Sequence, residues 1–398
     1  SAGTIIVIFT YFSMGVSGAG QVIISQFTGK NDKESVKKSI GTMFTFVILL
    51  SLLLTAIAIP CVPPLLKLLN TPSAARDMAA DYAYCCFTGL VFIFGYSGVG
   101  AMLRGMGDSK RPLIFIAIAT VTNIVLDVIF VGPLKMGTFG AALATIAAQG
   151  ISFFFSIGYL YRRRAAFGFD FKPQSFKMDP GILKMFVRLG FPMALQHIAV
   201  NVSTMYVTSC INSYGIVISA LSGIGDKLRA VIAIFAASVG TAGAAMTGQN
   251  IGAGKYDRVK KIYLFSLLML IITCTALGSV GIIFPKTIVG MFDTNPQVLD
   301  MAPRFMVINL VTYVAFALYQ PFTSLINGLG YASFGFILGL IDGFVARIGL
   351  VSLLGTFLTL GYWGVWWGAA LAAYVGASIG FVYFFSGRWK KRNPITNR

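Results

Sequence analysis

Apolar runs long enough to cross a bilayer alternate along this chain with short polar connections. A spanning helix needs roughly 20 mostly apolar residues. The pattern predicts such helices near residues 3–28, 39–66, 79–103, 111–131, 137–161, 181–211, 216–248, 261–285, 301–327, 332–358 and 363–386. Both the length and the continuity of these runs exceed what a soluble amphipathic helix shows.

The pattern repeats. At a shift of 223 residues, Gln26-Phe27-Thr28-Gly29 with Val36-Lys37-Lys38 returns as Gln249-Asn250-Ile251-Gly252 with Val259-Lys260-Lys261. In the same register Thr71, Asp77 and Met78 fall on Thr294, Asp300 and Met301, and Gly105-Met106-Gly107 falls on Gly328-Leu329-Gly330. One extra residue then aligns Gly137 to Ala142 with Gly361 and the glycine-alanine positions after it. Matches held in one register over this distance indicate a duplication. The predicted helix at 181–211 has no partner at that shift. The expectation is therefore an all-α polytopic membrane protein of two pseudo-symmetric six-helix bundles, with eleven helices present and the first one missing. Bundles with an even number of spans share topology and are related by an axis along the membrane normal. The expected division is an N-terminal bundle over 1–162, an interfacial cytoplasmic linker over 163–180 and a C-terminal bundle over 181–398.

Composition agrees: 57% of the 398 residues are hydrophobic and 11% charged, against about 25% charged in soluble domains. The net charge of +18 lies mostly in the connections, which argues for orientation in a bilayer and against nucleic acid as a partner. Alternate connections carry 22 of the 31 Lys and Arg, and the opposite side has only Lys67, Arg76, Lys135, Lys286 and Arg304. The richer side, including the C-terminus, is expected to be cytoplasmic. The segment RRRAAFGFDFKPQSFKMDP interleaves Phe with Arg and Lys, a composition suited to the headgroup region, and its Asp179-Pro180 reads as a helix cap and first-turn proline. Cys61, Cys85, Cys86, Cys210 and Cys274 fall in apolar segments without metal-ligand spacing.

Ionisable groups within apolar runs are costly and point to function. Asp127 lies one helical turn after Asn123, so an amide and a carboxylate share a face. Thr145 on the next helix and Tyr82 at the start of the 79–103 span come to a similar depth. The repeat places Ala346 and Leu350 where Asn123 and Asp127 stand, so the acid belongs to one half only. A packing role for Asp127 is the alternative. A second candidate group, for a substrate or ion cavity, is Asp226, Lys227 and Arg229, with His197, Gln196 and Asn201; here a structural ion pair or a cross-helix hydrogen bond competes. Asp342 and Arg347 pose the same question. Gly376-Ala377-Ser378-Ile379-Gly380 has the letters of a nucleophile elbow without its strand-turn-helix context, so close helix packing explains it better than a hydrolase built on Ser378 and His197. No phosphate-binding loop or H-E-x-x-H motif is present, and no ring of like charges suggests a channel.

Arg104-Gly105-Met106-Gly107-Asp108, the run Gly248 to Gly254 with its first-half partner, and Gly137 to Ala142 together resemble the multidrug and toxic compound extrusion (MATE) transporters over essentially the whole chain. The resemblance implies a twelve-helix antiporter that exports organic cations, drugs or other amphipathic compounds against H⁺ or Na⁺. In the DinF-like branch it implies a cation site of Tyr82, Asn123, Asp127 and Thr145, with Na⁺ as the one candidate metal ion and a further acid on a helix that would precede Ser1. The other bacterial branch has acids where this chain reads around Val200 and Phe316, so that site is not carried over. The expectation is no enzyme activity and no cofactor beyond the coupling ion, with a small-molecule substrate, lipid contacts, a monomeric state and an inner-membrane location. A flippase for lipid-linked precursors is the alternative within transport.

Overall fold

The computed structural model describes residues 2–68 and 73–397. Thr71 of the repeat and Arg398 of the basic tail lie outside them. Among the described residues the chain is helical throughout, without strands. The helices are α1 (Ala2–Gly29), α2 (Lys33–Leu68), α3 (Ser73–Thr88), α4 (Leu90–Gly105), α5 (Lys110–Val131), α6 (Gly137–Arg162), α7 (Pro180–Asn212), α8 (Ile216–Gly252), α9 (Tyr256–Ile283), α10 (Pro296–Gly328), α11 (Ala332–Phe357) and α12 (Gly361–Phe385). Each of the eleven predicted spans is therefore found as a helix or a helix pair, and the chain is a multi-pass, all-α membrane protein.

Eight of the helices are apolar and long enough to cross a bilayer by themselves. The α3–α4 pair adds one more as a single span bent by 45°. The bend has a local cause: Thr55 on α2 donates its hydroxyl to the Phe87 carbonyl at 2.9 Å, and Gly89 sits where a Cβ would lie 2.3 Å from Ile146. A side chain that takes a helix carbonyl, beside a residue without a side chain, is a standard origin of such a kink. α7 falls short of the same apolar measure because Gln196, His197, Asn201 and Thr204 interrupt its hydrocarbon face.

Packing divides the molecule into two units, residues 1–194 and 195–398. The duplication is visible in the backbone of each. Positive φ recurs in register at Gly107 (94°) and Gly330 (69°), at Asn31 (58°) and Gly254 (70°), and at Lys135 (49°) and Thr359 (53°). The turn hydrogen bonds recur with it. Asp108 N to Leu103 O is matched by Tyr331 N to Ile326 O, and Leu134 N to Ile129 O by Leu358 N to Leu353 O. Glycine contacts also repeat: a Cβ on Gly105 would stand 2.8 Å from the Gln21 carbonyl, and one on Gly328 would stand 2.8 Å from the Ala244 carbonyl.

In the first unit the segment between α6 and α7 is pinned to α2. Phe169 is buried against Phe44, Phe171 and Phe176. Thr45 donates to the Phe176 carbonyl, and the Asp170 carboxylate accepts from the Ser175 hydroxyl and from Lys37 Nζ. Those two donors hold the Asp170 carboxyl well below the usual carboxylate range. Asp179 accepts from the Ile182 amide at 3.0 Å, capping α7 as its sequence predicts. In the second unit the basic tail folds back: Trp389 is buried, donates to the Phe384 carbonyl and stacks on Phe384.

Candidate functional site

In the first unit α5 lies along α6, and α3 packs on α6 beside them. Asn123 donates to the Thr145 hydroxyl across the α5–α6 seam at 3.4 Å. Thr145 spends its own proton on the Ala141 carbonyl at 3.0 Å, so what it presents to the seam is oxygen lone pairs. Asp127 lies one turn beyond Asn123, and its Oδ1 is buried without a hydrogen-bond partner. Tyr82 stands on α3, where Thr138 of α6 donates to the carbonyl of Met78, one turn before Tyr82. Of the four residues named from the sequence, Asn123 and Thr145 are in direct contact, Asp127 lies one turn along α5, and Tyr82 is on α3, which packs on α6.

Counting along α5 from Lys110, Asp127 is about 25 Å from the basic end at 1.5 Å per residue. A carboxylate oxygen without a donor at that depth is expensive unless something positive or a proton completes it. The seam beside it carries an amide and a hydroxyl oxygen, the ligand chemistry of a hard cation, and equally a place to hold a proton.

The second unit contains a cavity of about 100 Å³ among α7, α8, α10, α11 and α12. Asp226 and Arg229 line it, joined at 2.8 Å. Lys227 turns elsewhere, with its ammonium 5.3 Å from the Phe292 ring centroid. Gln196, His197 and Asn201 lie on α7 outside the cavity lining; Asn201 donates to the His197 carbonyl, and Gln196 packs against Gly335 and Gly339 of α11.

A feature of this cavity that the sequence placed only as a question is the pair Asp342 and Arg347. Arg347 reaches the cavity wall, donates through Nη2 to Asp342 Oδ2 at 3.0 Å and through Nη1 to Thr204 at 2.9 Å. Asp342 is 2% exposed. The two residues lie five apart, a spacing that puts them on different faces of an α-helix. Here Ile341–Ile348 is π-helical, and the i→i+5 ladder of that form brings them together. Phe305, Asn309 and Trp366 complete the lining without any charge or motif that would mark them. The repeat was the available signal, because it maps Tyr82 onto Phe305 and Thr145 onto Ala369, both in the cavity wall.

The MatE family model matches residues 1–129 and 192–353 of this chain. The chain belongs to the MATE family. MATE proteins are transporters and not enzymes, and this one is a multi-pass membrane member. It is 30% identical over 404 residues to the probable multidrug resistance protein YpnP of Bacillus subtilis (strain 168), covering 100% of this chain and 88% of that protein. It is 29% identical over 388 residues to the probable multidrug resistance protein YoeA of the same organism, covering 96% and 83%. A solved structure described as the outward-facing conformation of a multidrug resistance MATE family transporter of the MOP superfamily matches with a TM-score of 0.92 at 21% identity, over 98% of this chain and 88% of that one. At that identity the likeness concerns the MATE fold.

Proposed function

We propose that this MATE chain is an antiporter that exports organic cations, drugs or other amphipathic compounds in exchange for H⁺ or Na⁺, with Asp127 as the residue that takes the coupling ion. The observation that carries the reading is the Asp127 oxygen, buried without a donor and one turn from the Asn123–Thr145 bond. The names of the two Bacillus subtilis relatives support multidrug export. The Tyr82, Asn123, Asp127 and Thr145 set supports placement in the DinF-like branch. The location is the plasma membrane with the basic tail in the cytoplasm, and the protein works as a monomer.

In the proposed cycle an ion from outside binds Asp127, with oxygen from Asn123, Thr145 and Tyr82. Before loading, the carboxylate needs water or a donor; after loading it does not, so the α5–α6 seam closes more tightly. Two arrangements of that seam with different drug affinities make ion and drug binding reciprocal. Export follows from the ion gradient favouring the loaded arrangement on one side.

The test is drug uptake into inside-out vesicles bearing the full-length protein, driven in turn by a proton and a sodium gradient. Asp127→Asn is expected to abolish gradient-driven transport while leaving the folded yield in place. Transport at the wild-type rate in Asp127→Asn vesicles overturns the assignment.

A further inference from the structure

The place that holds an acid in one unit has none in its copy, where Leu350 stands for Asp127. The repeat carries Tyr82 to Phe305, Asn123 to Ala346 beside Arg347, Asp127 to Leu350, and Thr145 to Ala369. Phe305 and Ala369 line the cavity of the second unit together with Arg347, so that cavity lies where the repeat places the counterparts of Tyr82 and Thr145. Its lining includes the guanidinium groups of Arg229 and Arg347 and one carboxylate, Asp226. Asp342 stands behind Arg347, outside the lining.

A second cavity of about 420 Å³ adjoins the first, and Ile308 lines both. Arg304, Trp363 and Trp367 are half of its lining, with Val307, Ile308 and Leu360 the rest. The Arg304 guanidinium is 5.1 Å from the Trp363 ring centroid, and among the described residues no ion pair involves it. From Trp363 an aromatic wall leads inward: its ring centroid is 5.2 Å from that of Trp366, which is 4.6 Å from that of Phe305. Across the two cavities three guanidinium groups meet two carboxylates, Asp226 on Arg229 and Asp342 on Arg347, so the uncompensated charge is that of Arg304. A cationic ligand would be repelled on balance; an anionic group gains charge-assisted, forked hydrogen bonds from Arg. The aromatic wall suits a flat ring body. Size favours the outer cavity, since the inner volume is well under the roughly 300–1,000 Å³ of a pocket for a whole drug.

We propose that the second unit binds aromatic organic acids. The carboxylate or phosphate group pairs with Arg304 in the outer cavity, and the ring body lies along Trp363, Trp366 and Trp367. The proposal rests on the transport reading for its use, because it names the amphipathic class that the transporter carries, but the binding itself does not depend on ion coupling.

Three of the four tryptophans lie in this wall, so intrinsic fluorescence reports occupancy. The probes are an isosteric series, 2-naphthoate, 2-naphthamide and 2-naphthylmethylammonium, titrated into the full-length protein in phosphatidylcholine nanodiscs. Naphthoate is expected to bind about tenfold or more tightly than the amide, the value of one charge-assisted contact, and the ammonium more weakly than either. Arg304→Gln, at an exposed position, should weaken naphthoate and spare the amide. Asp226→Asn should tighten naphthoate, a change that misfolding cannot produce. Equal binding of all three probes, or no effect of either variant, overturns the proposal. Repeating the titration with phosphatidic acid in the nanodisc separates the sources of the anion: unchanged naphthoate affinity supports a soluble acid, and loss of binding assigns the site to a lipid phosphate and overturns the solute assignment. Naphthoate binding that persists in a protein without ion-driven transport counts against the transport reading alone.

Discussion

Breaking the Asp342–Arg347 pair should unsettle the second unit far more than removing it whole. The two groups meet at 3.0 Å; a pair of unit charges about 4 Å apart at an effective dielectric constant near 20 gains about 4 kcal/mol of attraction. Withdrawing each ion from water costs several kcal/mol, so the pair as a unit is close to neutral. Asp342 is 2% exposed, and Arg347 Nε is already buried without a partner, so the Asp342 carboxylate cannot recover solvent if its mate is lost. Asp342→Asn and Arg347→Gln are each expected to cost about 3–5 kcal/mol, the range for stranding one buried charge. The double variant should cost no more than either single one. Equilibrium unfolding of the full-length protein in mixed micelles, read by tryptophan fluorescence, closes this double-mutant cycle. Additive losses, or single variants within about 0.5 kcal/mol of the parent, would refute the reasoning, since either outcome means the two groups do not depend on one another.

Three further expectations follow from the same contacts. Gly364→Ala should sharply lower folded yield, because its Cβ would lie 2.2 Å from the Leu354 carbonyl, whereas Gly158→Ala, with nothing within 4 Å, should be neutral or stabilise α6 by up to about 1 kcal/mol; thermal unfolding compares them. The Asp170 carboxyl is held low by the Ser175 hydroxyl and then by Lys37, so its contribution to the linker is present above the ordinary carboxylate value and is lost as pH falls through its depressed folded value. Hydrogen exchange of residues 168–178 should therefore rise in strongly acid buffer, and in Asp170→Asn it should be raised at neutral pH as well. Tyr82→Phe and Thr145→Ala should each reduce ion-coupled transport without abolishing it, read as a raised half-saturating ion concentration in the vesicle assay; an unchanged value removes that residue from the site.

Much of this was legible in the sequence because the bilayer imposes a long, simple pattern. Eleven apolar runs became eleven helical segments, and the 223-residue register predicted turns whose φ values and hydrogen bonds recur in both units. The Asn123–Asp127 pair could be singled out from a one-turn spacing and an unmatched acid, and the Asn123–Thr145 contact joins it to the next helix. The bend at Gly89 was not, because it depends on Thr55 from another helix. Asp342 and Arg347 could be noticed but not joined: an α-helical reading separates residues five apart, and the π-helical turn that joins them depends on tertiary packing. Phe305 carries no charge or motif, and only its register with Tyr82 in the repeat ties it to a site; nothing in the sequence marks Trp366 as cavity-lining. The Lys227, His197, Gln196 and Asn201 set was drawn from polarity in apolar runs, and polarity alone does not say which side chains share a space.

The central claim is that one carboxylate, Asp127, takes the coupling ion. The most direct measurement is the number of ions bound per molecule by the purified full-length protein, followed as proton release on titration and as retention of radioactive sodium. The account predicts that Asp127→Asn loses one ion from that count, while Asp226→Asn keeps it. An unchanged count in Asp127→Asn would contradict it.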